Sequence, residues 1–137
     1  MTVVAAVAPW ITDAVQEFGR HLGIDNCQLN ARGGLQLALQ NGGLLAVEPV
    51  HRGQLCEVLV FASRPTGYHA AAMLQAGLAK AFDSPKGPSP VQVALLGSGP
   101  EASLLALVRL AERDFTLSTL ERSVDFLQRW LAELPCA

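Results

Sequence analysis

The hydrophobic and polar positions from Gly34 to Pro65 read as three strands joined by two turns. Leu35, Leu37 and Leu39 alternate with Gln36, Ala38 and Gln40, which predicts a half-buried strand. Asn41-Gly42-Gly43 supplies the positive φ angles of a tight hairpin turn. Leu44 to Glu48 resumes the extended pattern, and Pro49, which has no amide donor, is expected to end it. Leu55 to Ala62 is apolar on both faces except at Glu57, the pattern of a central strand covered from each side. A shorter strand is expected from Cys27 to Ala31, turning through Arg32-Gly33-Gly34.

A helical period takes over on either side of this block. Ile11, Ala14, Val15, Phe18 and Leu22 mark one face of a helix that Pro9 can open and Gly23 can stop. Tyr68 to Phe82 reads as a second helix, apolar nearly all round, with only His69, Gln75 and Lys80 clearly polar. A sheet can cover one side of such a helix, so the remainder predicts a contact with a second subunit. Asp83 to Pro90 is a proline-rich loop. Val91 to Leu96 and Ser103 to Ala111 read as strands around Gly97 to Glu101; helix is the rival reading for Glu101 to Glu112, and the hairpin context favours strand. Ser118-Thr119-Leu120-Glu121 has the form of a capping box, followed by a stripe of Leu120, Val124, Leu127, Leu131 and Leu134. The fold class is therefore α+β: an antiparallel β-sheet flanked by helices, in the order α-β-β-β-α-β-β-α. Residues 1–137 are expected to make a single domain, with 1–8 as a loosely held arm.

Composition sharpens the expectation of a partner. Half of the 137 residues are hydrophobic and 16% are charged, against about 25% in ordinary soluble domains. The net charge of −2, without a basic cluster, argues against nucleic acid as a ligand. No apolar run approaches the ~20 residues of a membrane span, and the apolar N-terminus lacks a basic n-region, so the expected location is cytoplasmic.

The search for chemistry finds little. His21, His51 and His69 fall on different elements without metal-ligand spacing, so no metal is expected. Cys27, Cys56 and Cys136 are too few and too scattered for a disulfide framework, and Cys56 on a central strand is a poor nucleophile. Gly97-Ser98-Gly99-Pro100 lacks the Lys-Ser/Thr ending and following helix of a phosphate loop and reads as a hairpin turn. No catalytic residue and no cofactor are expected.

Several phrases in a fixed order carry a family resemblance. They are Phe18 to Gly23 (FGRHLG), Leu37 to Gly42 (LALQNG), Leu45 to Pro49 (LAVEP) and Glu57 to Pro65 (EVLVFASRP), then a two-strand unit and an amphipathic closing helix. Over roughly residues 10–134 the chain resembles the class I type III secretion chaperones of the Tir-chaperone family. That resemblance implies a small bacterial cytosolic homodimer that needs no nucleotide hydrolysis. It also implies a cognate secreted effector as partner, held through an extended N-terminal segment, and contact with the secretion apparatus. The groove is then expected on the first helix and the following hairpin, at Trp10, Phe18, Leu29, Leu37, Leu45 and Val47. The dimer interface is expected at Met73, Leu74, Gly77, Leu78, Val91 and Val93. Two other classes compete: a small α+β enzyme or ligand sensor with a pocket between sheet and helices, and a dimeric adaptor unrelated to secretion.

Overall fold

The computed structural model of the chain describes residues 8–24, 29–30, 33–40, 42–53, 55–83 and 90–135. Helix α1 (Pro9–His21) is followed by strands β1 (Leu35–Ala38), β2 (Leu44–Arg52) and β3 (Leu55–Pro65). Helix α2 (Ala70–Asp83), strands β4 (Gln92–Leu96) and β5 (Ser103–Ala111) and helix α3 (Leu117–Ala132) complete the order. The strands form one antiparallel sheet in the order β1-β2-β3-β5-β4, so β3 is central and β1 and β4 are the edges. The α+β class and the element order are as the sequence predicts.

Local chemistry sets the ends of the elements. Pro9 stands in the first turn of α1, and Gly23, at φ +83°, lets the chain leave it. The Gly23 amide donates to Arg20 O at 2.9 Å and the Ile24 amide to Gly19 O at 3.0 Å, which satisfies two carbonyls of the last turn. Gly42, at φ +85°, forms the β1–β2 turn, with the Leu39 amide donating to Gly43 O. At α3 the capping box lies two residues before the expected one: Thr116 is the N-cap and Thr119 closes the box. The Thr119 amide donates to Thr116 Oγ1 at 3.1 Å, and the Thr116 amide to Thr119 Oγ1 at 2.8 Å. Threonine takes the place usually held by glutamate because its hydroxyl also reaches the N-cap amide.

Two other expectations are corrected. Pro49 does not end β2, which runs on to Arg52 in register with β3. The β1 ladder reaches only Val47, so Pro49 lies where β2 has a single strand partner among the described residues, the setting in which proline is tolerated. The strand expected at Cys27 to Ala31 is not formed at Leu29 and Asn30, and its other residues lie outside those described. The N-terminal arm, apart from the partly buried Ala8, also lies outside them.

All three helices sit on one face of the sheet. Ile11, Val15 and Phe18 of α1 share one buried cluster with Leu35, Leu45 and Val47 of the hairpin. Leu120, Leu127 and Trp130 of α3 pack on Val58, Val60, Leu104 and Val108 in the same cluster. Arg64 of β3 donates from Nη1 to Leu131 O (2.8 Å) and Leu134 O (3.1 Å), capping the C-terminal end of α3. α2 covers β4, and a Cβ on Gly77 would stand 3.3 Å from Val93, 3.4 Å from Leu104 and 3.6 Å from Trp130.

Candidate functional site: an open sheet face

The alternation of β3 and β5 buries Cys56, Val58, Val60 and Ala62, and Leu104, Ala106, Val108 and Leu110, beneath the helices. The opposite set points to a face that no helix among the described residues covers. There Phe61 stands opposite Leu107 and Ala46, Leu59 opposite Glu48 and Arg109, and Ala94 opposite Leu105. Leu59, Phe61, Leu105 and Leu107 are all half-buried, flanked by Leu44 and Val50 of β2. The expectation that β3 is covered from both sides is thus corrected. Its sequence is apolar on both faces, yet the helices among the described residues form only one layer. Covering the four half-buried side chains would contribute roughly 1 kcal/mol each, gross, taking half the value of full burial. A contiguous apolar face of this kind marks an interaction surface.

Charged groups border the apolar patch. Arg109 Nε donates to Gln92 Oε1 at 2.9 Å, and its Nη1 lies 3.8 Å from Glu57 Oε2. On the β2 side a hollow of ≈ 530 Å³ is lined by Asn30, Gln36, Glu48, Pro49, Val50, Leu59 and Phe61. A hollow on the helix side, ≈ 390 Å³, lies against Arg64, whose guanidinium is engaged with the α3 carbonyls.

The groove residues expected from the sequence divide sharply. Phe18, Leu45 and Val47 lie inside the core and cannot line a surface groove while the subunit is folded. Leu35, Leu45 and Val47 belong to the helix-covered set, so the available residues of the hairpin are on the other side: Gln36, Ala38, Leu44 and Glu48, with Ala46 buried between them. In a strand a single-residue error of parity exchanges the two faces. Leu29 and Leu37 are partly buried against the core, and Trp10 is 52% exposed on α1.

The expected dimer residues divide as well. Met73, Gly77 and Val91 are buried within the subunit, and the small size of Gly77 serves the close approach of α2 to Val93, Leu104 and Trp130. Leu74 and Val93 are partly buried, and Leu78 is 52% exposed. Tyr68 and Phe82, at the two ends of the α2 region, are 89% and 90% exposed. Only Met73 and Gly77 of α2 are buried, and Leu78 and Phe82 leave an apolar side of the helix exposed among the described residues. The sequence reading missed Leu59, Phe61, Leu105 and Leu107; the signal for them was a central strand apolar on both faces.

Among the described residues the titratable groups make local contacts. Burial pushes the Cys56 thiol above its ordinary pKa, away from the thiolate a nucleophile requires. Among the described residues no group of three or more His, Cys, Asp or Glu could hold a metal ion. His21 joins two helices: its Nδ1 is 2.6 Å from Glu121 Oε1 of α3, and its Nε2 is 3.2 Å from Glu17 Oε1, itself paired with Arg20. The Glu121 hydrogen bond, with both carboxylate charges, raises the His21 pKa from its ordinary 6.5. A raised histidine adds stability that is present in full below the unfolded value and lost as pH rises through the folded one. Wild type is therefore expected to melt above Glu121→Gln by the widest margin below the ordinary 6.5, where the carboxylates remain ionised, and to lose that margin as pH rises through the raised His21 value. A pH series of melting curves at low salt measures it, and a margin independent of pH counts against the ion pair.

Comparison with known proteins places this architecture. The model of the type III secretory system chaperone SycN family matches residues 10–134. The Yersinia pestis type III secretion chaperone SycH, solved in complex with a stable fragment of YscM2, superposes with a TM-score of 0.64 at 17% identity, over 91% of this chain and 99% of that one. The ExsC-ExsE complex gives 0.60 at 13% identity, over 97% and 99%. The HopA1-SchA chaperone-effector complex gives 0.62 at 16% identity, over 93% and 94%. No curated protein sequence matches. At these identities the solved structures establish a shared fold, and the family model spans nearly the whole chain. The chain belongs to the type III secretory system chaperone SycN family.

Proposed function

We propose that the protein is an ATP-independent chaperone that holds the extended N-terminal chaperone-binding segment of a secreted effector, keeping it soluble in the bacterial cytoplasm and ready for a type III secretion apparatus. The observation that carries this reading is the uncovered apolar sheet face around Phe61 and Leu107, a surface suited to alternate side chains of an unfolded chain. Family membership and the folds of SycH, ExsC and SchA support it. Trp10, Leu29 and Leu37 remain as groove margin on the helix side. Capture of this kind uses binding energy alone and needs no catalytic group.

The working form is proposed to be a homodimer. Support comes from α2, whose Leu78, Phe82 and Tyr68 are exposed, and from β4, an edge strand without charge or proline (QVALL). Leu78→Arg would place a charge in that contact and is expected to convert dimer to monomer. Light scattering on wild type and variant decides it; a wild-type monomer, or a variant that stays dimeric, removes the interface. Co-expression with candidate secreted proteins, followed by size exclusion and mass analysis, tests the chaperone itself. Retention of a small molecule in place of a protein segment would favour the ligand-sensor reading.

A further inference from the structure

Glu48 is a carboxylate on the open face that no cation meets among the described residues. Its Oε1 accepts from Asn30 Nδ2 at 3.1 Å and from Gln36 Nε2 at 3.4 Å, and its Oε2 accepts from Asn30 Nδ2 at 3.4 Å. Both donors are neutral amides, so they orient the carboxylate without cancelling its charge. Asn30 is fixed in turn, because its Oδ1 accepts from the Gly34 amide at 2.9 Å and its own amide donates to Gly34 O at 2.9 Å. Gly34 makes room for the arrangement: a Cβ there would overlap the Glu48 carboxyl and stand 2.9 Å from Asn30 Nδ2. The result is a preset anionic corner beside an apolar floor of Val50, Leu59 and Phe61, within the ≈ 530 Å³ hollow.

We infer that this hollow receives a lysine or arginine of the captured segment, with neighbouring apolar side chains of that segment seated on Leu59 and Phe61. The inference rests on the chaperone reading and adds a sequence preference to it. A bare apolar face would accept any greasy strand, whereas an uncompensated, oriented carboxylate at its margin favours a cation and disfavours an acid. Same-face residues of an extended segment lie about 6.6 Å apart, which matches the repeat of Leu59 and Phe61 along β3. The stem of a lysine or arginine can lie over Val50 while its head reaches Glu48.

The probe is a peptide of about twelve residues alternating leucine and serine, with one central leucine replaced by arginine, citrulline or glutamate. Calorimetric titration of the full chain is expected to show the arginine peptide binding about tenfold more tightly than the citrulline one, and the glutamate peptide most weakly. The arginine preference should fade at about 0.5 M salt, vanish in Glu48→Gln and in Gly34→Ala, and invert in Glu48→Lys, with melting curves confirming that each variant is folded. Equal binding of the three peptides by wild type, with Phe61→Ala weakening all of them, overturns the cation subsite and leaves the chaperone reading standing. No binding of any peptide by the folded wild type removes the face as a capture surface, and the subsite with it.

Discussion

Phe61→Ala is expected to weaken capture of an effector's N-terminal segment about thirtyfold or more while leaving the fold intact. Phe61 lies in the middle of the central strand, opposite Leu107 on one side and Ala46 on the other, on the face that no helix among the described residues covers. Aromatic anchors at the centre of an interface commonly cost about 2 kcal/mol or more on truncation, which is a factor of about thirty in affinity. A phenylalanine within a closed core would instead cost about 3–5 kcal/mol of folding stability. Because Phe61 is only half-buried in the subunit, the folding loss should be nearer 1 kcal/mol, and the two readouts separate. Titration with the segment beside a thermal melt makes the comparison. Unchanged affinity, or a melting temperature lowered as for a core truncation, would return Phe61 to a structural role.

Gly77→Arg is expected to lower stability by about 3–5 kcal/mol, the cost of an unpaired charge forced into a packed seam. The residue sits where α2 crosses β4 and α3, with Val93, Leu104 and Trp130 all within 3.6 Å of the position its Cβ would take. Gly77→Ala is the control. Alanine restores up to about 1 kcal/mol of helix propensity, and the close contacts with Val93 and Leu104 oppose it, so the net change should be small. Denaturant melts of both variants give the answer. An arginine variant that keeps wild-type stability but dissociates to monomer would place Gly77 at the subunit contact instead, as its sequence context first suggests.

The fold was legible because its signals are local. The alternation of β1, the continuous apolar runs of β2 and β3, the Pro9 and Gly23 limits of α1 and the apolar stripe of α3 each follow from residues close together in the chain. The site was less legible because it depends on which side of the sheet the helices choose. Leu45 and Val47 are as apolar as Leu59 and Phe61, and nothing local distinguishes the helix-covered set from the open one. Gly77 misled for a related reason: a small residue permits close approach, and the sequence does not say of what. The space is filled by Val93, Leu104 and Trp130, which come from β4, β5 and α3. The Glu48 corner depends likewise on Asn30 and Gly34 folding back over β2.

The single layer of helices also gives the protein a thermal character. Covering Leu59, Phe61, Leu105 and Leu107 with a partner strand removes apolar surface from water, and such burial carries a negative heat-capacity change. The attraction it provides fades on cooling. A chaperone that grips through this face is therefore expected to hold its cargo less firmly as the temperature falls.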